Sequence, residues 1–532
     1  MAGLNGELAN GWNWDVYYQY GKTDYSQRQY NTRINDNFAR AVDAVAGPGG
    51  TVVCRVNADA NPANDDPACS PLNLFGQNNF SQAGKDYSFG TALQDTEISQ
   101  HVVAASLSGD LVDLWAGPLA FATGAEYRKD RAFGTADPIS IAQRFYTGPG
   151  AAIDGELDVK EGFLELGAPL LRDVPFARSL DINGAVRLTD YSSSGSVVTW
   201  KVGLTWEPAD PVRLRATRSR DIRAPNIFEL FGPQQTSYQT VLDPANARST
   251  VLASTLLGGN PDLSPEIADT LTVGVVLSPD FWGLEGLRLS VDYYDIKLKD
   301  AITTLGSQAI VDLCFQGRTD LCPLVQRDPS GAIAAVIDTN QNLNQINTRG
   351  IDFELAYRLL LDGVSENLPG ALSARLLATR ALKLETLDSS GQAIDRVGQL
   401  APPQSPATGG VPKWQGTFSL TYEGDPLTLS SQIRYISSGL RDNSLIGPGQ
   451  QGYDPSLPNS VNINKVPAFA YVDLNAQYAI LDDGAHMVEL FAAVTNLLDT
   501  DPPNYLPFFM PTNPVLYDVL GRRYRVGVRF EF

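Results

Sequence analysis

Histidine is nearly missing from this sequence: His101 and His486 are the only 2 in 532 residues. A Ser-His-Asp site would need one of them beside a serine, and the stretch "SQHVVAAS" around His101 is the sole place where that arises. A histidine on a strand, at a membrane interface or in a lumen, is the preferred reading there. No P-loop, dinucleotide fingerprint, zinc motif or CxxC pair occurs, so the chain is read as not an enzyme, with no cofactor and no metal site. Positive charge is scarce as well, with 40 Lys+Arg against 60 Asp+Glu and a net charge of −20. Duplex binding needs a basic footprint, which excludes nucleic acid as a partner. No apolar run of 18 residues exists, and helical membrane spans are thereby excluded. Linkers are missing too: no Ser/Gly tract, Pro-rich spacer or long charge run divides a chain too long for one ordinary soluble core.

What is present is alternation. The stretch "LDINGAVRLT" puts Leu180, Ile182, Val186 and Leu188 on one face and Asp181, Asn183 and Arg187 on the other. "PVRLRATRSR", "LRLSVDYY", "LTLSSQIRY" and "YVDLNAQYAI" repeat the pattern. There are about sixteen such segments, many near ten residues, the length a tilted strand needs to cross a bilayer. Mean hydropathy is −0.14, and a membrane barrel has this near-neutral signature because only alternate residues meet lipid.

The gaps between segments carry more information. Short, turn-like gaps fall at 109–118, 207–210, 278–285, 423–426 and 481–484. The alternate gaps are long, at 21–95, 132–156, 220–265, 301–341, 383–411, 439–465 and 499–521, with a tight "SSSG" at 192–195 as the exception. A soluble sandwich alternates too, but gives no reason for loop length to follow strand parity. No fixed repeat period points to a propeller or solenoid. The expected fold is all-β: a transmembrane antiparallel β-barrel with short periplasmic turns and long extracellular loops. In the terminal "YRVGVRFEF", Tyr524, Val526, Val528, Phe530 and Phe532 form the lipid parity, and Arg525, Arg529 and Glu531 the lumen parity.

The stretch "SRDIRAPNIFELFGP" (219–233) closely resembles the motif that follows a mid-barrel strand in TonB-dependent outer-membrane receptors. "GPLAFATGAEYRKD" (117–130), "GGNPDLSPEIADTLTVGVVLSP" (258–279), "LRLSVDYYDIKLKDAI" (287–302), "INTRGIDFELAYRL" (346–359), "VPAFAYVDLNAQY" (466–478) and "VELFAAVTNLLDTDPP" (488–503) resemble the same family in the expected order. The resemblance implies a plugged barrel of about 22 strands in the outer membrane of a Gram-negative bacterium. It implies active uptake of a scarce nutrient, whether siderophore-iron, cobalamin or an oligosaccharide, driven by an inner-membrane TonB complex acting on the plug. Within that resemblance, residues 1–532 are expected to be the barrel portion, without the plug, its TonB box, the first strands or a signal peptide, and so not transport-competent alone. The opening "MAGLNGELANGWNWDVYYQYG" reads as already inside a barrel strand, and Trp12–Tyr20 as the strand onto which the chain would have to close. Tyr524, Val526, Val528, Phe530 and Phe532 also resemble the signal read by the outer-membrane barrel assembly machinery. Outer-membrane lipid, a small nutrient ligand, the TonB complex and that machinery are the expected partners. A passive porin or a surface-adhesin barrel is the alternative, and an upstream plug and TonB box or a passenger domain would tell them apart.

Candidate ligand residues follow from position. Arg213, Arg215, Arg218, Arg220 and Arg223 form a basic ladder, partly lumen-facing, that would steer an anionic ligand or else pair with carboxylates such as Glu126. Tyr238, Phe315, Tyr453, Tyr505, Phe508 and Phe509 stand in external loops, where they suit ring stacking on a ligand or plain packing. The motif residues Arg223, Ala224, Pro225, Asn226, Glu229, Leu230 and Phe231 read as architecture ahead of ligand contact: Pro225 ends the strand, Asn226 turns the chain, and Leu230 and Phe231 pack. Four cysteines form two close pairs, Cys54/Cys69 and Cys314/Cys322, each within one external loop. Four cysteines allow three connectivities. Local disulfides are expected, because neither loop holds a histidine and the spacings are unlike zinc sites.

Overall fold

In the computed structural model, residues 1–532 are described except 149, 247–248, 281–283, 366–367, 388–392, 403–408, 458, 483–485 and 506–510. Phe508 and Phe509 therefore lie outside the described residues. One 18-stranded sheet dominates. Its first strands are β1 (Ala2–Glu7), β2 (Asn13–Arg33), β3 (Phe89–Leu114), β4 (Gly117–Ala136), β5 (Asp154–Val174) and β6 (Ala177–Tyr191). Next come β7 (Gly195–Ala209), β8 (Val212–Arg223), β9 (Glu266–Leu277), β10 (Leu287–Thr303), β11 (Gln341–Leu360) and β12 (Ala371–Leu387). The last are β13 (Ala393–Asp395), β14 (Trp414–Glu423), β15 (Leu427–Ile436), β16 (Phe469–Asp482), β17 (Met487–Thr495) and β18 (Arg523–Glu531). Every wall strand pairs antiparallel with its neighbours in sequence. The order holds through the last quarter of the chain, where the short β13 only flanks the end of β12. An all-β antiparallel barrel wall is what the alternation and the loop parity led one to expect.

Register shows why the alternation is so clean. Tyr524, Val526, Val528 and Phe530 stand opposite Val494, Ala492, Leu490 and Val488. A strand's side chains leave alternately to its two faces, so all of these share one face. The other face of the same pair carries the Arg529–Glu489 ion pair at 3.1 Å. The apolar face continues from strand to strand, for example through Trp14, Val16 and Tyr18 opposite Leu107, Ala105 and Val103.

Two features depart from the sequence reading. Strands run well past the apolar alternation, β2 to Arg33 and β3 from Phe89. Beyond the greasy stretch the ladder is continued by polar cross-strand contacts such as Lys22–Glu97 at 2.8 Å, which hydropathy does not mark. Trp12–Tyr20 is also not a closing edge. Its strand is β2, already flanked by β1 on one side and β3 on the other. The turn at 8–12 was hidden because "LNGELANG" lacks strong alternation. Among the described residues, the outer edges of β1 and β18 have no strand partner.

The buried apolar clusters lie mainly at the long-loop end. One joins Val241, Ala253, Ile310, Val311, Leu321, Ile333 and Val336, and another joins Leu400, Ile436, Val466, Tyr471, Tyr505 and Tyr517. A third packs Leu230 and Leu263 onto Leu157, Val159 and Tyr191. Loops with cores of their own are ordered structures, since burial offsets the entropy of fixing them.

Candidate functional site

The lumen face is laced with ion pairs, as barrel interiors commonly are. Arg187 meets Glu161 at 2.7 Å, Arg375 meets Glu354 at 2.8 Å, and Arg128 lies between Glu126 and Asp130. The basic ladder resolves along these lines. Arg213 bonds Glu207 at 2.6 Å, and Arg215 takes Asp292 in a two-pronged contact at 2.6 and 2.8 Å. Both stand on the lumen parity of β8. Arg220 does not: it lies opposite Asp269 on the parity of Leu214 and Ala216, facing outward. Its assignment as a lumen ligand contact is corrected by the even count that separates it from the apolar positions of the same strand.

Arg223 closes β8 and organises the family-like motif. Its guanidinium donates to Glu266 on β9 at 2.8 Å twice, and to Glu229 at 2.9 and 3.1 Å. Glu229 in turn accepts from the Asn226 backbone N–H, while the Asn226 side chain accepts from the Phe228 and Glu229 N–H groups. This is a full capping box starting the short helix α1 (Ile227–Phe231). Leu230 is fully buried. Phe231 lies over Gly155, where a Cβ would strike its ring. Every motif side chain placed this way has a structural task.

Above this motif two long loops fuse. Residues 235–243 and 249–257 form a hairpin, and its second strand pairs in parallel with Ile333–Ile337 of the next long loop, Ser254 to Ala335 and Leu256 to Ile337. Helix α2 (Ser307–Phe315) lies beneath, its Gln308 side chain bridging both backbone groups of Leu242. Arg327 clamps Asp243 at 2.6 and 2.9 Å, and Asp243 is 0 % exposed. The guanidinium holds the Asp243 carboxyl below the usual carboxylate range. Asp338 goes the other way: burial raises it, against the backbone N–H groups of Gly306, at 3.1 Å, and Leu305. The Cys314–Cys322 disulfide closes the turn after α2, and Cys54–Cys69 ties the first long loop. Both expected pairings are present.

The aromatic candidates divide. Tyr238 stacks on Tyr146 at 4.8 Å with 6° between planes, and Arg33 caps the stack 4.0 Å from the Tyr146 ring. Asn35 donates to the Tyr238 hydroxyl at 3.0 Å. Three long loops therefore meet at Tyr238. Phe315 is exposed, and Tyr453 is half-buried and bonded to Asn462 at 2.6 Å. Tyr505 is 1 % exposed, and burial drives its hydroxyl well above the usual phenol range. It donates to Tyr517 at 3.3 Å and packs in the cluster of Leu400, Ile436, Val466 and Tyr471. Exposed loop aromatics that the sequence reading passed over are Phe75 and Phe80 in "LFGQNNF". The crevice where the second and third loops meet, lined by Ser140, Gln143, Gln234 and Thr236, holds about 20 Å³, room for one water. His101 faces outward beside Tyr20, its Nδ1 2.8 Å from the Tyr18 hydroxyl, an arrangement of an aromatic belt.

A sequence profile described as "TonB dependent receptor-like, beta-barrel" matches residues 1–497. No curated protein matches the sequence. Among solved structures, the siderophore receptor PirA from Acinetobacter baumannii superposes with a TM-score of 0.58 at 16 % identity, covering 99 % of this chain and 61 % of that one. A variant of the ferric enterobactin receptor PfeA from Pseudomonas aeruginosa, in complex with enterobactin, gives 0.58 at 16 % identity over the same shares. Another PfeA variant gives 0.59, covering 99 % of this chain and 60 % of that one. At such identity the likeness is one of fold. The chain spans about three fifths of the length of these receptors.

Proposed function

The chain belongs to the TonB-dependent receptor family, and from that premise we propose that it is the ligand-capturing barrel of an outer-membrane uptake system for a scarce nutrient, a ferric siderophore first among the candidates. The observation that carries this reading is the ordered loop layer, with its own cores, two disulfides and the sheet shared by loops 224–265 and 304–340. Ordering loops of that length is costly in chain entropy, and passive flow through a pore gains nothing from it. Capture of a particular molecule does. The exposed rings of Phe75, Phe80 and Phe315 and the half-exposed Arg33 offer stacking and positive charge to an anionic, ring-bearing chelate. Solved receptors of like fold include a ferric enterobactin receptor with enterobactin bound, which favours that ligand class over sugars. In this reading the partners are outer-membrane lipid, the barrel assembly machinery acting on the strand that ends at Phe532, and a TonB complex engaged through a plug. The barrel itself performs no chemistry on its cargo.

The test uses the purified full chain in neutral detergent. Ferric enterobactin is expected to quench its tryptophan fluorescence saturably, and a linear maltooligosaccharide to leave it unchanged. Equal response to both, or to neither, removes the siderophore reading. Migration unaltered by heating on a gel removes the membrane-barrel reading itself.

A further inference from the structure

The outward face of the last wall strands is apolar from rung to rung, and it is dented in one place. One rung runs Ala374, Leu420, Ser431, Leu474 and Val494. The next, one step nearer the short turns, runs Leu372, Tyr422, Leu429, Ala476, Ala492 and Val526. Short side chains thus descend diagonally from Ser431 on β15 through Ala476 on β16 to Ala492 on β17. The bulk of Leu420, Leu429 and Leu474 stands around them. The result is a groove of about 510 Å³ in the wall.

Ser431 is the odd member of this groove. Among the described residues, serine or threonine occupies the apolar stretch of the outward face twice, at Thr123 and Ser431. Thr123 turns its hydroxyl back to the wall and donates to the Phe163 carbonyl at 2.7 Å. The Ser431 hydroxyl makes no hydrogen bond in the structure. A hydroxyl facing hydrocarbon without a partner is costly, since no water is there and the wall's own carbonyls are used by its ladder. Serine at this point calls for an acceptor that arrives from outside the chain.

Depth identifies the acceptor. Tyr422 donates to the Pro369 carbonyl at 3.1 Å in the turn at 361–370, and Tyr478 stands opposite Leu427. These rings border the apolar stretch on the short-turn side, where aromatic side chains sit at headgroup level. Ser431 is one rung inside Tyr422. Two residues span about 7 Å along a strand, which at a tilt of about 45° is roughly 5 Å of depth. Headgroups give way to hydrocarbon at that level, and there the glycerol esters of a lipid join their chains.

We propose that this groove holds one acyl chain of a diacyl phospholipid of the periplasmic leaflet, with Ser431 donating its hydroxyl hydrogen to that chain's ester carbonyl. The groove carries no charge, so the chain and its ester are recognised and the headgroup is not. A second copy of the wall would fill the dent with side chains but bring no free carbonyl, because its backbone is paired as well. The proposal rests on the membrane-barrel reading above.

The test takes the purified, folded full chain in neutral detergent. It is offered phosphatidylethanolamine with ester-linked chains or the analogue with ether-linked chains of equal length, which lacks the carbonyl. Lipid retained through gel filtration is counted by mass spectrometry. Wild type is expected to retain the ester lipid roughly fivefold over the ether lipid, the worth of one hydrogen bond. S431A should retain both alike at the lower level, and A476F, which fills the groove, should retain neither. T123V, whose hydroxyl already has its partner in the wall, should keep the wild-type preference. Wild type indifferent to the ester, S431A still preferring it, or A476F retaining lipid each overturns the site. A dimer in place of bound lipid, lost in A476F, overturns it in favour of a second copy. All of these leave the barrel standing, whereas a chain without heat-modifiable mobility overturns both readings.

Discussion

Arg223 and Glu266 face each other across β8 and β9 in a two-pronged contact, each nitrogen 2.8 Å from its oxygen. Glu266 also accepts from the Ile302 backbone N–H at 2.7 Å, so one carboxylate joins three consecutive wall strands at the point where the third loop departs.

Replacing Arg223 should therefore damage more than one contact. R223M leaves Glu266 and Glu229 without their shared cation, and a destabilisation of about 3 kcal/mol is expected. R223K should rescue poorly, because an ammonium lacks the planar fork that serves both carboxylates. Denaturant midpoints of the folded barrel in detergent, read from heat-modifiable gel mobility, check this. A lysine variant as stable as wild type would contradict it.

The clamp between Arg327 and Asp243 makes a second prediction. Asp243 is fully buried, so R327M leaves its carboxylate without a cation, held by the Ala245 N–H at 3.1 Å, at a cost of about 3 kcal/mol. The loss should be local. Hydrogen exchange is expected to speed up across 235–257 and 325–337 together, with the wall strands unchanged. Acceleration in only one of the two loops would show that the shared sheet does not move as a unit.

The same layer should respond to pH in two opposite senses. Asp243 is held low by Arg327, so its contribution is present above the ordinary carboxylate range and is lost as pH falls through its depressed value. Asp338 is raised by burial, so its contribution is full below that range and is lost as pH rises through its elevated value. The variant D338N keeps an acceptor for Gly306 and carries no charge. It should make the 304–340 loop more protected than wild type at neutral pH, by about 1 kcal/mol, and equal to it in acid. Exchange corrected for intrinsic rates would decide. A neutral-pH loss of protection would sink the claim.

Opening the Cys54–Cys69 bond frees a span of 15 residues. In the chain-entropy view that closure contributes about 3 kcal/mol. Arg40–Asp66 at 2.9 Å and the Tyr87–Asp66 hydrogen bond at 2.5 Å tie the same loop without sulfur. The variant C54S/C69S is thus expected to assemble normally but to be cut within 44–80 by protease, where the oxidised chain resists. Failure to assemble at all would mean the bond acts in folding rather than in holding the loop.

Sequence period showed the wall because lipid and lumen impose a strict two-residue alternation on every strand, as Tyr524 to Phe532 do. The polar strand extensions were hidden for the same reason: once both faces are wet, as at Lys22 and Glu97, alternation stops while pairing continues. Arg220 was misplaced because a run of arginines conceals parity. Register against Asp269 restores it. The mouth was least legible. Asn35 and Tyr238 are 203 residues apart in the chain, and Tyr505 is buried by partners its neighbours do not announce. The turn at Asn226 was legible from its residue type, whereas its capping box with Glu229 went unread although both ends lie within one turn.

The parallel pairing of Ser254–Leu256 with Ala335–Ile337 has a consequence for how the mouth can move. A lid built from two separate loops has two sets of hinges and opens in stages. Here the strands are stitched across different loops, so neither flap swings by itself. Any opening at this sector requires the joined sheet to tilt as one plate about the ends of β8, β9, β10 and β11, and anything that wedges one edge lifts the other.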